Sequence, residues 1–260
     1  MSTAAVQRRV FDWGPALAVF VLGIVLWQLL VVAFDVQDFL LPKPTEIART
    51  FWDERSSLWH AGIYTFKEAL GGFALGSSLG ILSALLFANF RWLGTAFMPF
   101  AVAANAVPII AFAPIFNNWF GLLNPFSKMA IAAVLCFFPV LINTLRGLTS
   151  VDPRAIELMR SYAAGNVSTF RRVRVPASLP HMFAGLKIAS VLSMIGAIVG
   201  EYFGGAFTAL GVLIDSRSTT FQFKEAWAGI GVACAYGIAF YLGVAIVERL
   251  TLRWVPSTGE

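Results

Sequence analysis

The chain has 260 residues, of which 58% are hydrophobic and only 13% are charged. A soluble domain of this size carries about a quarter charged residues, so the composition excludes an ordinary soluble globule and indicates an integral membrane protein. The net charge of +5 does not indicate a nucleic-acid-binding protein, because no basic stripe with interleaved aromatic residues occurs in the sequence.

Six stretches are long and apolar enough to cross the hydrocarbon core of a bilayer, which takes about 20 helical residues. Backbone groups within such a span must be hydrogen-bonded internally, so each stretch is expected to be a helix. The predicted fold is therefore all-α, a single polytopic transmembrane domain over residues 1–260. Its six helices are expected at about 15–34, 69–88, 95–116, 127–145, 180–203 and 226–247.

The second and third predicted spans have features that go beyond crossing a bilayer. The second reads GGFALGSSLG, and small residues at such intervals let helices approach closely, so Gly72, Gly76 and Gly80 are expected to form a helix–helix contact. The third contains Pro108 and Pro114. Proline removes a helical hydrogen bond, so this span is expected to be kinked or broken, either to line a pathway or only to improve packing.

Few ionisable residues are expected inside the bilayer, and Lys187 and Glu201 are the two candidates. Lys187 lies about two turns into span five, from where its long side chain can reach the interface. Glu201 lies near the other end of that span and would either line a pathway or lie at headgroup level. Cys136 and Cys234 lie in apolar runs and are interpreted as packing residues, not as metal ligands.

The positions of lysine and arginine predict the orientation of the chain, because these residues concentrate in cytoplasmic loops. With the N-terminus in the cytoplasm, eleven of them lie inside and six outside. Both termini and the loop over residues 146–179 are therefore expected to be cytoplasmic. The inner set is Arg8, Arg9, Arg91, Arg146, Arg154, Arg160, Arg171, Arg172, Arg174, Arg249 and Arg253, and the outer set is Lys43, Arg49, Arg55, Lys67, Arg217 and Lys224.

The loop between spans four and five is long and polar, and its sequence predicts two short amphipathic helices. Asp152 is a favourable N-cap and Pro153 suits the first helical position. Gly165 is a natural break between the two helices, and Pro176 and Pro180 are expected to stop the second before span five. Such a pair could lie on lipid, cover the loop or dock in a partner's groove. Its short, broken, mixed-charge character favours docking.

This loop resembles the cytoplasmic EAA loop of permease subunits in bacterial ATP-binding-cassette importers. In that family a Glu-Ala-Ala opens the motif, a glycine follows six positions after the glutamate, and the motif closes near a Leu-Pro. Here Glu157 takes the glutamate position, Ala163 the glycine position and Val175–Pro176 the closing pair, with STFRRVR matching the basic-aromatic stretch between them. Leu158 and Met159 replace the two alanines. Because Ala163 replaces the glycine, the helix break is expected to shift toward Gly165.

The resemblance extends over nearly the whole chain. The stretches FLLPKPTEI, AVPIIAFAPIFNNWFG, FFPVLINTLRGL and LPHMFAGLKIA are similar to the nitrate/sulfonate/bicarbonate-type branch of the family, which includes importers of the thiamine pyrimidine precursor and of riboflavin. The stretch GAIVGEYFG is more similar to these importers of heterocycles. The resemblance therefore implies import of a small solute, either an organic heterocycle or a sulfonate- or nitrate-type anion.

The resemblance also implies partners in a bacterial inner membrane. The sequence has no GxxxxGK[ST] phosphate loop, so no cofactor is expected on this non-catalytic chain, and ATP and Mg²⁺ are expected on a partner ATPase. A dimer of cytoplasmic ATPase subunits, a second permease copy and an extracytoplasmic solute-binding protein would complete the importer. The loop residues expected to couple to the ATPase are Glu157, Leu158, Met159, Arg160, Tyr162, Ala163, Gly165, Phe170, Arg171, Arg172 and Pro176.

The candidates for the solute pathway are five residues near spans three and five, namely Asn105, Pro108, Asn117, Asn118 and Glu201. The two adjacent asparagines could equally end span three at the outer interface, where Trp119 fits an aromatic belt. A secondary transporter or channel is the alternative function. That class is expected to show internal repeats or ion-coupling acids, and only Glu201 offers such an acid. A membrane enzyme would need a convergent set of reactive groups, which the two isolated histidines do not supply.

Overall fold

The computed structural model describes residues 3–104 and 108–254, and in these ranges the chain forms helices and turns without a β-strand. The chain also contains a 3-10 turn, Ile109–Ala111, and a π-helical turn, Phe170–Arg174. The α-helices are α1 (Thr3–Ala33), α2 (Pro44–Asp53), α3 (Arg55–Asn89), α4 (Arg91–Ala104), α5 (Ala113–Phe120), α6 (Pro125–Thr149), α7 (Pro153–Ser161), α8 (Asn166–Thr169), α9 (Val175–Tyr202), α10 (Leu210–Thr219) and α11 (Phe223–Thr251).

Within the described ranges, four helical stretches are long and apolar enough to cross a membrane, and they correspond to the second, fourth, fifth and sixth predicted spans. They are Arg55–Asn89, Pro125–Thr149, Asn166–Tyr202 and Phe223–Thr251. The apolar part of α1, Leu17–Ala33, is shorter. The prediction of an all-α protein with membrane-type helices is thus confirmed, whereas the count of six spans stays a prediction.

The third predicted span is not one continuous helix. The backbone of Pro108 is extended, with φ −63° and ψ 110°, and α5 begins afresh beyond it with a proline in its first turn. Because proline cannot donate the helical hydrogen bond, it favours this kind of interruption. The expected break is confirmed, so residues 95–116 do not form one uninterrupted helix. The candidate pathway residue Asn105 lies outside the described residues.

Two compact units make up the chain, and the first comprises Met1–Trp59 with Leu213–Gly231. In this unit the rings of Trp27 and Trp227 lie 5.1 Å apart. The Lys224 ammonium lies 2.8 Å from Asp38 Oδ2 and 2.7 Å from Glu46 Oε2. Its hydrogen bond holds the pKa of the Asp38 carboxyl below the ordinary value of 3.8, against an opposing effect of desolvation. These contacts join α1, α2 and the beginning of α11.

The second unit comprises His60–Val212 with Val232–Glu260. In it α6 packs closely against α9 and against the glycine face of α3. A methyl group on Gly76 of α3 would lie only 2.2 Å from the carbonyl oxygen of Ala133. On Gly196 of α9 it would lie 2.8 Å from the Cα of Ala132. Gly72 and Gly80 likewise face α6, so the helix–helix contact predicted for the glycines of span two is confirmed.

Three side chains of this second unit test sequence predictions. The prediction for Cys136 is confirmed, and those for Cys234 and Lys187 are corrected. Cys136 is buried, and its thiol donates to the carbonyl oxygen of Ala189 at 3.2 Å, so its packing role is confirmed. Cys234 is exposed, so the same prediction is wrong for it. Lys187 does not reach out alone to the interface. Its ammonium lies 2.6 Å from Glu248 Oε2 on α11, and this ion pair is only about one-quarter exposed.

Candidate functional site

The polar loop between α6 and α9 begins with the helix start that the sequence predicts. Asp152 caps α7, since its Oδ1 accepts a hydrogen bond from the backbone N–H of Arg154 at 2.9 Å, and Pro153 occupies the first turn. The capping carboxylate satisfies one of the N–H groups that a helix leaves unpaired at its beginning. The predicted N-terminus of this helix is therefore confirmed.

α7 ends at Ser161, and Tyr162 is its C-cap. The next residue, Ala163, stands at the position where the resembling family has glycine. Ala163 has φ 50°, a left-handed conformation that glycine adopts most readily. Its N–H donates to the carbonyl of Arg160 at 2.9 Å, and the N–H of Ala164 donates to that of Met159 at 3.0 Å. These two bonds form a Schellman motif. The helix break has not shifted to Gly165, so that expectation is wrong: alanine takes the strained conformation itself.

The helical spacing of α7 divides its side chains between two faces. Ile156, Glu157 and Arg160 lie on the face that lines cavities against the ends of α3 and α6. Leu158 and Tyr162 lie on the opposite, outward face, where they are 56% and 76% exposed. Large apolar side chains that are this exposed at helical spacing have the character of anchors for a partner's groove.

The second helix of the loop is not stopped by its prolines, which corrects the sequence prediction. Asn166–Tyr202 runs as one stretch of 37 helical residues, with the π-helical turn inside it. A π turn changes the hydrogen-bond register by one residue, and it occurs just before Pro176. Pro176 has no N–H to donate, so an ordinary α-helix would leave the carbonyl of Arg172 without its usual donor. The second loop helix and span five are therefore a single element.

The residues of this π turn have different surroundings. Phe170 is half-buried and packs against the apolar cluster that contains Leu145 and Leu148 of α6. Arg171 and Arg172 are exposed. Gly165, which precedes α8 and lies outside the turn, is exposed as well. Of the aromatic residues that the sequence assigns to a partner contact, Tyr162 is therefore free to be buried by another chain, whereas Phe170 already has partners within its own unit.

A second group of polar residues, the buried polar cluster, consists of Thr65, Glu68, Lys128 and Glu201. Glu201 is only 1% exposed. Its Oε1 accepts from the Thr65 hydroxyl at 2.7 Å, and its Oε2 accepts from the N–H of Gly211 at 2.7 Å. Thr65 Oγ1 in turn accepts from the N–H of Leu210 at 2.9 Å. One carboxylate and one hydroxyl thus tie α3 and α9 to the beginning of α10.

The other two members of the buried polar cluster, Glu68 and Lys128, add a second carboxyl group and one ammonium group. Glu68 is 3% exposed and lies within hydrogen-bonding reach of Glu201. Lys128 is 1% exposed, donates to the carbonyl oxygen of Leu122 and lies near both carboxyl groups. A buried charge is tolerated only when it is paired and hydrogen-bonded, and this arrangement meets that requirement for Glu201. Glu68 Oε2 has no hydrogen-bond partner in the described part of the chain.

The described candidates for the solute pathway separate into buried and exposed residues. Asn117 is 3% exposed, and its Nδ2 donates to the carbonyl of Gly200 at 3.2 Å. Gly200 directly precedes the buried Glu201 in the chain. Pro108 and Asn118 are exposed. The structure therefore brings Asn117 close to Glu201 and leaves the other two at the surface.

Sequence reasoning missed Thr65, Glu68 and Lys128 as members of the cluster. Glu68 lies one position before the predicted second span, and Lys128 is the second residue of the predicted fourth. Both could have been noticed as ionisable residues at the edge of an apolar run, where burial requires a partner. No local pattern shows that they meet Glu201, because these residues lie on three different helices.

In the described part of the chain the two histidines do not form part of a possible metal site. His181 Nε2 lies 3.5 Å from the Ser150 hydroxyl at the end of α6, and both residues are exposed. Within the described ranges, no group of three or more His, Cys, Asp or Glu side chains could hold a metal ion.

Comparisons with known proteins give a consistent family. Residues 76–258 match the family described as "Binding-protein-dependent transport system inner membrane component". The chain is 33% identical to the riboflavin transport system permease protein RibX of Chloroflexus aurantiacus, over 95% of this chain and 93% of that protein. It is 35% identical to the formylaminopyrimidine transport permease protein ThiX of Halalkalibacterium halodurans, over 90% and 93% of the two chains.

More distant similarities agree with these. The chain is 28% identical to the putative aliphatic sulfonates transport permease protein SsuC of Bacillus subtilis, over 96% of this chain and 91% of that protein. A structure described as "Crystal structure of an amino acid ABC transporter with histidines" contains a chain with a TM-score of 0.60 at 16% identity. The likeness covers 79% of this chain and 97% of that chain. At this identity it concerns the fold alone.

Proposed function

We propose, because the chain belongs to the family of binding-protein-dependent transport system inner membrane components, that it is the transmembrane permease subunit of an ATP-driven importer of a small solute. Its sequence has no GxxxxGK[ST] phosphate loop, so ATP and Mg²⁺ would bind to a separate ATPase subunit. The permease would form the translocation pathway and contribute no catalytic residue.

The proposed assembly contains two permease copies, two cytoplasmic ATPase subunits and an extracytoplasmic solute-binding protein. Each permease would be a single transmembrane domain that crosses the inner membrane six times, with both termini in the cytoplasm. The excess of lysine and arginine in the predicted inner loops supports this orientation. The apolar part of α1 and the broken segment of α4 and α5 would supply the two crossings beyond the four long helices.

The coupling element would be the outward face of α7. The observation that carries this proposal is the pair Leu158 and Tyr162, two large apolar side chains left exposed on a short capped helix. Closure of the ATPase dimer on ATP would displace α7 and the continuous helix that follows it, and hydrolysis would reset both. Arg171 and Arg172 are exposed next to this helix and would pair with acidic residues at the rim of the groove.

Asn118 and Pro108, the exposed pathway candidates, are proposed to contact solute. Glu201 and Asn117 are proposed to act indirectly, by holding the segment between α9 and α10 and the end of α5 in place. Their burial and hydrogen bonds support this division.

The test is co-purification of the tagged chain with its ATPase, together with solute-stimulated ATP hydrolysis in liposomes. A Leu158→Asp, Tyr162→Asp double variant is expected to lose the ATPase, because truncating an anchor in a partner's groove costs about 2 kcal/mol or more. Phe170 is unsuitable for such a change, since it packs within its own unit. Leu123→Asp is the matched control, because Leu123 is 64% exposed near the opposite end of α6.

Retention of the ATPase by the double variant would refute the role of the α7 face. Solute transport by the native chain without any ATPase would refute the importer and support a secondary transporter. Loss of the ATPase from the Leu123→Asp control as well would show that the effect is not specific to α7.

The solute is proposed to be an organic heterocycle of the flavin or aminopyrimidine type. The higher identities to permeases named for riboflavin and formylaminopyrimidine, 33% and 35%, support this class over sulfonates, at 28% and 30%. The complete transporter with its binding protein should hydrolyse ATP faster with riboflavin or formylaminopyrimidine than with an aliphatic sulfonate. Stimulation by the sulfonate alone would overturn the assignment.

A further inference from the structure

The inner face of α7 does not pack directly on the helices beneath it. Two adjoining cavities of about 350 and 460 Å³ lie along this face. They are bordered by Ala88 near the end of α3, and one of them also by Leu148 near the end of α6. Both α3 and α6 are long and apolar enough to cross a membrane, so their ends, and the cavities with them, belong at a membrane surface.

Two arginines give these cavities their charge. Arg160 of α7 and Arg174 of the π turn line both cavities, and Glu157 lines only the smaller one. Among the described residues, neither guanidinium forms a salt bridge. Two unpaired guanidinium groups at one cavity wall favour an anion, and their planar forks match the oxygens of a phosphate group.

The rest of the lining is divided between polar and apolar groups. Asn89, Asn166 and Thr169 line the larger cavity and supply neutral hydrogen-bonding groups. Ala88 and Phe170 supply apolar surface in the same cavity. A ligand that matches both kinds of lining carries a phosphate group together with apolar atoms. Basic pockets at the ends of transmembrane helices accept lipid headgroups on this basis.

We infer that the cavities beneath α7 bind the headgroup of an anionic phospholipid, with its phosphate between Arg160 and Arg174. This site is separate from the outward face of α7, so it does not depend on the proposed contact with an ATPase. The lipid would fill the space between α7 and the ends of the long helices, and would thereby support α7 from below.

The test uses the full chain, purified in a neutral detergent. Short-chain phosphatidylglycerol is titrated in, and bound lipid is counted by native mass spectrometry while the unfolding temperature is recorded. Phosphatidylcholine of the same chain length and inorganic phosphate are the comparison ligands. We expect saturable binding of phosphatidylglycerol with a rise in unfolding temperature, and binding of the other two at least about tenfold weaker, since charge-assisted contacts dominate such sites.

Three variants make the test specific. Arg174→Gln and Arg160→Gln are each expected to weaken phosphatidylglycerol binding about tenfold or more, because each loses a charge-assisted contact to phosphate. Arg154→Gln is the matched control, since Arg154 is exposed on α7 and lines neither cavity. Its affinity should stay within about twofold of the native chain, as expected for an uninvolved surface charge. If Arg174→Gln does not fold, Arg160→Gln on the exposed α7 still decides the question.

Several results would overturn the inference. Equal affinity for phosphatidylcholine and phosphatidylglycerol would show that the two arginines do not select charge. An equal loss in Arg154→Gln would show diffuse attraction rather than a site. Inorganic phosphate that displaces phosphatidylglycerol at similar concentrations would assign the cavities to a free anion instead of a lipid.

Discussion

At Ala163 the backbone has φ 50°, and a left-handed conformation costs an L-residue with a side chain about 1–2 kcal/mol relative to the right-handed one. Glycine lacks the Cβ atom that causes this cost, but it also loses more freedom on folding. The Schellman hydrogen bonds at the end of α7 are nevertheless formed, so the end of the helix does not depend on glycine.

We predict that Ala163→Gly stabilises the chain by about 0.5–1 kcal/mol, because strain is relieved while both hydrogen bonds remain. The measurement is thermal unfolding in detergent. Ala164→Gly is the control, since Ala164 is not among the residues with positive φ. It should be neutral or slightly destabilising, and a fall in unfolding temperature for Ala163→Gly would contradict the strain argument.

A second prediction concerns the contact between α3 and α6. Gly76→Ala should destabilise the chain by about 2 kcal/mol, because its new methyl group would lie 2.2 Å from the carbonyl oxygen of Ala133 and would push two backbones apart. Gly243→Ala has no heavy atom within 4 Å of the added carbon and serves as the control. Unfolding of both variants in detergent checks this, and equal stability of the two would refute the packing argument.

Residue roles could be predicted from sequence where they depend on neighbours along the chain. Asp152 as a helix cap and the glycines of α3 as a contact face were both found in this way. Glu68 and Lys128 could not be, since their roles follow from three helices meeting in space. Ala163 was misjudged because the preference for glycine at this conformation is only about 1 kcal/mol, which the hydrogen bonds of the motif can outweigh.

At the scale of elements, the buried polar cluster fixes the chain segment that leads from α9 into α10. Thr65 accepts a hydrogen bond from the N–H of Leu210, and Glu201 accepts one from the N–H of Gly211. Side chains thus satisfy two backbone donors at the start of α10. These are N–H groups that the helix itself cannot pair.

We predict that Thr65→Val destabilises the chain by about 2 kcal/mol or more, because it leaves a buried carboxylate oxygen and a buried N–H without a partner. Limited proteolysis should then cut first between residues 203 and 211. Thr144→Val is the matched control, since the Thr144 hydroxyl is buried and has no hydrogen-bond partner in the described part of the chain. It should cost less than about 1 kcal/mol, and equal effects of the two changes would contradict the role given to Thr65.

Helices were predicted well where the length of the apolar stretch determines them, and poorly where a proline was expected to end them. The four long helices follow from their composition. Pro108 interrupts a helix, as expected, whereas Pro176 and Pro180 do not. A π turn changes the hydrogen-bond register just before Pro176, whereas Pro180 lies inside α9 without ending it. Such a turn has no sequence pattern that can be recognised in advance.

At the scale of the whole molecule, the number of crossings depends on the segment that contains α4 and α5. Residues 53 and 154 lie on opposite sides of the membrane if this segment crosses it, and on the same side if it does not. The excess of arginine around α7 predicts that residue 154 lies in the cytoplasm.

We predict that Arg154→Cys reacts with a membrane-impermeant maleimide only from the cytoplasmic side, and Asp53→Cys only from the outside. Each cysteine is introduced singly in a background without Cys136 and Cys234. The native side chains of Asp53 and Arg154 are both exposed, so the introduced thiols should be accessible. Labelling is compared in right-side-out and inverted vesicles. Modification of both positions from one side would show that the broken segment does not cross.

The close packing of α6 against α3 and α9 also limits permeation. Where Gly76 and Gly196 meet α6, an added methyl group would already overlap backbone atoms, so no solute can pass between these helices. A channel opened there would have to separate surfaces that are held together along α6. Any route for a solute must therefore lie elsewhere than between α6 and these two helices.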